Sequence, residues 1–282
     1  MGIPEKMVRV IEAMYRSPKF AVKEMGKRSS ERRQHSGIRQ GCPLSPYLFV
    51  IVMTVIMRDI DGQLTQEERH ILNEEQPIGA NGHGRLLYAD DTLILASNRR
   101  AAEILLHKIQ EESYKYNMKL NQRKCVLLGM NSLGSIQYID GGHMPVTDRA
   151  PYLGTNMSAK GNPHFEISTR IAATTITLNK LDMFWKKAPV STTWKLRVHD
   201  AIIASKLLYG LESASLAKAE YERLDAFQIK ALRKMLGIGH SYRSHVSNKV
   251  VMETANLRIR LKRGRTITQM SDKLKNRQIK FI

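Results

Sequence analysis

Cysteine is nearly absent. Two residues, Cys42 and Cys125, in a chain of 282 exclude a disulfide framework and a cysteine-rich zinc module. They suit a reducing compartment. Long apolar runs are missing too. The longest, Tyr47 to Met57, is interrupted by Thr54 and ends at Arg58-Asp59. That is far short of the ~20 residues a membrane span needs, and it reads as a buried helix. No secretory signal opens the chain, and Lys6 stands where a myristoylation site wants Ser or Thr. Carboxylates are short relative to cations: Asp+Glu 26 against Lys+Arg 45 gives a formal +19. That charge is a footprint for polyanions, nucleic acid before membrane. Internal repeats and low-complexity tracts are also lacking. The expected location is nuclear or cytoplasmic, not secreted, given the reduced cysteines and basic runs such as Lys262-Arg263-Gly264-Arg265.

What is present fits one large domain or two modest ones, with 42% hydrophobic residues available for a core. Pro4 starts a helix carrying Met7, Ile11, Met14 and Tyr15 at helical spacing. Residues 19–36 read as a basic strand-and-loop segment, with Lys27-Arg28 and Arg32-Arg33 near its turn. Ser45 as N-cap and Pro46 at the first position predict a helix to about Arg58. Gly79 to Gly84 is expected as a loop. A helix is predicted from about Arg99 to Tyr116, with Ala102, Leu105, Ile109 and Tyr116 on one face. Val126 to Leu128 reads as a strand, and two more are expected to flank the Asp140-Gly141-Gly142 turn. From Pro163 helical periodicity takes over, roughly 163–186, 191–216 and 218–236, with Trp185 and Trp194 expected in the core. Leu257 to Arg265 alternates apolar and basic residues, which fits a strand or an irregular basic arm.

The most informative stretch is Tyr88-Ala89-Asp90-Asp91. Apolar, β-prone runs flank it, Gly84 to Leu87 before and Thr92 to Ala96 after, so a tight hairpin with the acids at its tip is predicted. Adjacent carboxylates repel and lose hydration if half buried. A divalent cation relieves both costs, and Mg²⁺ prefers one or two carboxylates plus substrate phosphates. The bland alternative is a surface turn with two solvated acids.

Upstream runs Gly37-Ile38-Arg39-Gln40-Gly41-Cys42-Pro43-Leu44-Ser45-Pro46-Tyr47-Leu48-Phe49. Downstream come Leu120-Asn121-Gln122-Arg123-Lys124-Cys125, Tyr152-Leu153-Gly154 and Leu208-Tyr209-Gly210-Leu211-Glu212. With the acidic hairpin, in this order, these motifs resemble the reverse transcriptase palm, most closely that of non-LTR (LINE-type) retrotransposons. The resemblance runs from the first helix to about residue 240. It implies an α+β fold: a partial polymerase palm over 1–155, with an antiparallel sheet and packed helices, a helical thumb-like region over 156–240, and a basic extension over 241–282. The implied reaction is DNA synthesis from an RNA template, with DNA primer and dNTP as the other partners. The implied cofactor is Mg²⁺ or Mn²⁺, two ions if the site is complete. By motif, Asp90 and Asp91 are metal ligands, with Asp90 the more important, and Tyr88 positions the primer end. Gln40 and Gly41 line the nascent base pair. Lys124 stands near the departing pyrophosphate, as general acid or as charge stabiliser. Tyr152 and Gly154 fall in the region that grips the primer strand. Arg170, Lys180, Lys186, Lys187, Lys195 and Arg197 are candidate duplex contacts.

The family's third carboxylate lies in an aromatic-x-x-Asp setting, and none precedes residue 37. Asp59 and Asp61, at the far end of the 46–58 helix, are not expected to reach the site. The chain is therefore expected to be a truncated or degenerate copy that does not polymerise alone and is active only if the missing N-terminal half is supplied by a longer product or a partner. A non-catalytic basic nucleic-acid-binding remnant is the alternative. A group II intron maturase fits Leu208 to Glu212 less well, and RNA-directed RNA polymerases usually carry Gly where Ala89 stands.

Overall fold

The computed structural model describes residues 2–74, 84–96, 98–130, 134–263 and 266–281. The predicted loop at 79–83 and the Gly264-Arg265 end of the basic run lie outside them. The chain forms two compact units: residues 1–124 with 136–144, and residues 125–135 with 145–282.

The first unit opens with α1 (Glu5–Tyr15), none of whose residues is buried. A basic ribbon follows, with β1 (Lys19–Phe20) paired to β4 (Arg32–Arg33) and β2 (Lys23–Glu24) paired to β3 (Lys27–Arg28). Helix α2 (Ser45–Gln63) runs five residues past the predicted end. Ser45 does not cap it. Its Oγ meets the Tyr15 hydroxyl at 3.2 Å and the residue is 2% exposed, so the preceding Leu44 holds the cap position without a side-chain bond. Pro46 sits in the first turn as predicted. The run 47–57 is buried on one face only: Ile56 and Met57 are inside, while Tyr47 is 70% exposed and Val50 51%.

Helix α3 (Gln66–Glu74) and α4 (Arg99–Lys115) complete the helical layer. The Asn98 side chain caps α4 by accepting from the Ala101 N–H at 2.8 Å. Between them stand β5 (Arg85–Tyr88) and β6 (Asp91–Ile94), antiparallel. The core has two clusters. Ile56, Met57, Ile60 and Ile109 form one, and Leu64, Leu72, Ala101 and Leu105 the other. Ile94 packs against both, so the hairpin is fastened at its β6 end. Around Asp140-Gly141-Gly142 there is one bridge, Gln137 to His143, instead of two flanking strands.

In the second unit β7 (Leu127–Leu128) pairs with β8 (Val146–Thr147) in parallel, against the antiparallel pairing expected there. Strands β9 (Arg149–Tyr152) and β10 (Thr155–Ser158) form an antiparallel hairpin. The helices are α5 (His164–Lys180), α6 (Asp182–Lys187), α7 (Thr192–Val198), a π-helical turn over His199–Ala204, α8 (Ser205–Leu208) and α9 (Lys218–Leu236). After them come α10 (Ser241–Ser244), α11 (Asn248–Arg263) and α12 (Met270–Phe281). The core gathers Ile167, Trp185, Leu208 and Leu232 from the middle of the chain with Val251 and Leu274 from its last helices.

The basic stretch from Leu257 is helical to Arg263, not a strand or an irregular arm. Val251 and Ala255, both fully buried one i,i+4 step apart, lie on the same helix upstream of it. The predicted helix 191–216 is a succession of short α and π segments that ends at Leu208. No helix among the described residues is long and apolar enough to cross a membrane.

Candidate active site

The acids lie at the end of the β5–β6 hairpin, as predicted. Tyr88 pairs with Asp91, Leu87 with Thr92, Leu86 with Leu93 and Arg85 with Ile94, leaving Ala89-Asp90 as a two-residue turn. Side chains alternate across a strand and opposed residues share a face. Ile94 packs inward with Arg85, Leu87 and Thr92 on its face, so Leu86, Tyr88, Asp91 and Leu93 share the outer face. Tyr88 is 63% exposed, and both Asp90 and Asp91 are exposed. Neither carboxylate has an ion-pair partner among the described residues. An aromatic ring and two carboxylates thus stand together in solvent on a strand pair anchored from the opposite face.

Ala89 has φ +52°, the left-handed region at the first turn position. A Cβ there costs about 1–2 kcal/mol, and glycine's own entropy cost offsets roughly 0.5–1 of it. Ala89→Gly is therefore expected to raise unfolding stability by about 0.5–1 kcal/mol, measured by urea denaturation. Lower stability would contradict the turn geometry.

The other end of the hairpin is tied to α2. Arg85 Nη2 donates to Asp61 Oδ1, with the Arg85 side chain 7% exposed and that of Asp61 36% exposed. Asp61 is thereby committed to the hairpin's open end, three strand positions or roughly 10 Å from the Tyr88–Asp91 pair. Asp59 accepts from the Tyr116 hydroxyl at 2.7 Å, a bond that raises the Tyr116 pKa above its ordinary value. Both acids of α2 are thus engaged by other side chains.

Gln40 and Gly41 are exposed in the turn that leads into α2, and Gly41 has φ +78°. Arg39 holds this turn by donating from Nη2 to the Met14 carbonyl at 2.9 Å, with its guanidinium 5.9 Å from the Tyr15 ring centre. The Cys42 thiol is held below its ordinary pKa, chiefly by the Leu44 backbone N–H. Lys124 is exposed and closes a turn through its N–H to the Asn121 carbonyl at 2.9 Å.

In the second unit two separate motifs meet. The β9–β10 turn is Leu153-Gly154, with φ +47° and +77°. The Tyr209 hydroxyl donates to the Leu153 carbonyl at 3.0 Å, and Arg170 Nη2 donates to the Gly154 carbonyl at 2.6 Å. Arg170 Nε donates to Glu166 Oε1 at 2.5 Å, while Glu166 Oε2 accepts from the Asn156 N–H and Nδ2 at 3.0 and 2.7 Å. Gly210 has φ +70°, and a Cβ on it would lie 2.2 Å from Thr155 Cγ2. Tyr152-Leu153-Gly154 and Leu208 to Glu212, distant in sequence, form one locked turn through Arg170.

The basic candidates divide by environment. The Arg170 side chain is 12% exposed, and Lys195 is 9% exposed with its Nζ on the Trp185 carbonyl at 2.5 Å. Lys180, Lys186, Lys187 and Arg197 are exposed, and Lys186 pairs with Asp182 at 2.9 Å. Trp185 is core at 1% exposure; Trp194, expected there, is 57% exposed. On α7 Lys195 and Leu196 point inward, which turns Trp194 and Arg197 outward with the guanidinium 5.8 Å from the ring centre.

The family described as reverse transcriptase (RNA-dependent DNA polymerase) matches residues 1–157, more than half of the chain and all of the acidic hairpin. The chain belongs to the reverse transcriptase family. Its similarity reaches beyond that match. It is 23% identical over 253 residues to the retrovirus-related Pol polyprotein of retrotransposable element R2DM from Drosophila melanogaster, across 84% of this chain and 22% of that protein. It is 23% identical over 251 residues to the corresponding R2 polyprotein of Nasonia vitripennis, across 84% of this chain and 23% of that one. It is 24% identical over 254 residues to the RNA-directed DNA polymerase of the mobile element jockey from Drosophila melanogaster, across 83% of this chain and 25% of that protein. The chain thus spans about a quarter of the length of the curated relatives it matches, and its homology to non-LTR elements is distant.

Two features of this chain were not apparent in its sequence. One is the exposed Trp194–Arg197 pair. Its signal was the Ser191 cap, which fixes the phase of a short helix and so the face of Trp194. The other is the Arg170–Tyr209 clamp on the Leu153-Gly154 turn, which no local pattern encodes.

Proposed function

We propose that this chain serves template-directed DNA synthesis from RNA as the palm and thumb portion of a polymerase, with Asp90 and Asp91 as two of its metal ligands. The observation that carries this is the hairpin tip, where two adjacent, exposed carboxylates without ion-pair partners share a strained turn with Tyr88. Exposed carboxylate oxygens fit Mg²⁺ or Mn²⁺, which keep waters and take substrate phosphates as further ligands. Two such ions, when bound, lower the pKa of a 3′-hydroxyl and neutralise a departing pyrophosphate.

The chain's own groups have roles around them. Tyr88, beside Asp91 on the outer face, orients the primer end. Gln40 and Gly41 bring donor, acceptor and close backbone to the nascent pair. Lys124 offers a cation to the leaving group. The Tyr152-Leu153-Gly154 turn meets the primer strand, with Arg170 and Tyr209 as positioning residues behind it. Arg197, with Lys180 and Lys187, meets duplex phosphates, a sequence-independent contact.

The family holds its metals with three carboxylates, and Asp90 and Asp91 are the two proposed here. The isolated chain is therefore read as binding template–primer without extending it. The test is Mg²⁺-dependent extension of a DNA primer on an RNA template, with Asp90→Ala as control and duplex binding followed against salt. Salt-sensitive binding without extension is expected. Extension abolished by Asp90→Ala would show that a third ligand is supplied from within the chain. Absence of binding at low salt would overturn the reading.

A further inference from the structure

The basic ribbon lies outside every role assigned above, and its shape is specific. Lys23 pairs with Arg28 and Glu24 with Lys27, so Met25-Gly26 is a two-residue turn. Both turn residues have positive φ, +46° and +79°, the signature of a type I′ turn. The pairing continues through Val22 and Ser29, whose backbones and side chain bond at 2.9 and 3.0 Å, and through Phe20–Arg32 and Lys19–Arg33. Between these pairs one residue, Ala21, faces two, Ser30 and Glu31. That is a β-bulge, which bends a ribbon and increases its twist.

Residues 19–33 hold six cations and two carboxylates. Strand alternation places Lys19, Lys23, Arg28 and Arg33 on one face and Phe20, Val22, Glu24, Lys27 and Arg32 on the other. Glu31 pairs with Lys19 at 3.6 Å and with Arg28 at 3.1 Å. Lys23, Lys27 and Arg32 form no ion pair among the described residues.

At the apex Met25 is 97% exposed. It occupies the turn position that favours Asn, Asp or Gly, and it buries nothing. A side chain that is unsuited to its backbone and contributes no packing points to use by a ligand. An unbranched apolar side chain at the tip of a cationic two-stranded arm matches the wedges that enter a base step while flanking cations hold the phosphates.

We propose that residues 19–33 form a nucleic-acid-binding arm that lies against a duplex and inserts Met25 between neighbouring base pairs, unstacking them. The proposal rests on nucleic acid being this chain's ligand. The probes are a DNA duplex and an RNA–DNA hybrid, each carrying 2-aminopurine, whose fluorescence rises when it unstacks. The full chain is compared with Met25→Asn, Met25→Leu and a Lys23→Ala/Lys27→Ala double variant. Met25→Asn suits the turn better than methionine does, so misfolding does not confound it.

The expected result is a fluorescence rise with the natural chain and with Met25→Leu, lost in Met25→Asn while affinity changes by less than about tenfold. The double lysine variant is expected to lower the salt slope by up to about two. Duplex binding with an equal fluorescence rise in Met25→Asn overturns the wedge and leaves the polymerase reading standing. No binding to either duplex overturns both. Met25-dependent binding to anionic phospholipid vesicles, with no fluorescence rise on nucleic acid, would mean a membrane-directed arm and overturns the proposal.

Discussion

Gly210→Ala is expected to destabilise the second unit by about 2–5 kcal/mol, the sum of roughly 1–2 for a Cβ at positive φ and 1–3 for overpacking. The added methyl would lie 2.2 Å from Thr155 Cγ2 at a residue held at φ +70°. Thr155 has little room to yield. It is β-branched, and its Oγ1 donates to the Tyr152 carbonyl at 2.9 Å. The damage should therefore pass into the Leu153-Gly154 turn. Chemical denaturation measures the loss. Thr155→Ala in the same chain removes the clash and leaves the φ strain, so it should restore part of the stability and not all of it. A Gly210→Ala protein of natural stability would contradict the packing of Leu208 to Glu212 against that turn.

Asp61→Ala is expected to cost about 2–4 kcal/mol, somewhat below the usual 3–5 for breaking a buried pair because Asp61 is about one-third exposed. Arg85 carries most of the effect. Its guanidinium, 7% exposed, keeps among the described residues only a long contact from Nη1 to Met57 Sδ at 3.8 Å. Stranding it opens the base of the acidic hairpin. Replacing both partners together, Arg85→Met with Asp61→Leu, should come close to the natural stability, because no buried charge remains. A double-mutant cycle by urea denaturation separates these cases. An Asp61→Ala cost below about 0.5 kcal/mol, the scatter of ordinary surface substitutions, would show that the pair does not hold the hairpin.

The acidic hairpin was legible in the sequence because its signal is local: short apolar, β-prone runs on either side of a tight turn. Helix α4 was legible for the same reason, through the spacing of Leu105 and Ile109. Features set by distant partners were not. Ser45 looks like a cap until Tyr15 claims its hydroxyl. The run 47–57 looks buried all round, yet one face finds no cover among the described residues. Trp194 looks like core until Leu196, two residues on, takes the inward position. The alternation in 257–263 matches a strand, yet the segment continues the helix that buries Val251 and Ala255 upstream. At the site, the acids could be found by motif, whereas the engagement of Asp61 with Arg85 is a tertiary fact.

We propose Asp90 and Asp91 as the metal-binding edge of a polymerase site. Manganese uptake tests it most directly, read as loss of the free Mn²⁺ electron paramagnetic resonance signal during titration of the purified chain. The natural protein is expected to bind Mn²⁺ in a component that Mg²⁺ displaces. Asp90→Asn and Asp91→Asn, which keep the shape of the tip and remove one charge each, are expected to lose that component. Equal uptake by all three proteins would contradict the account.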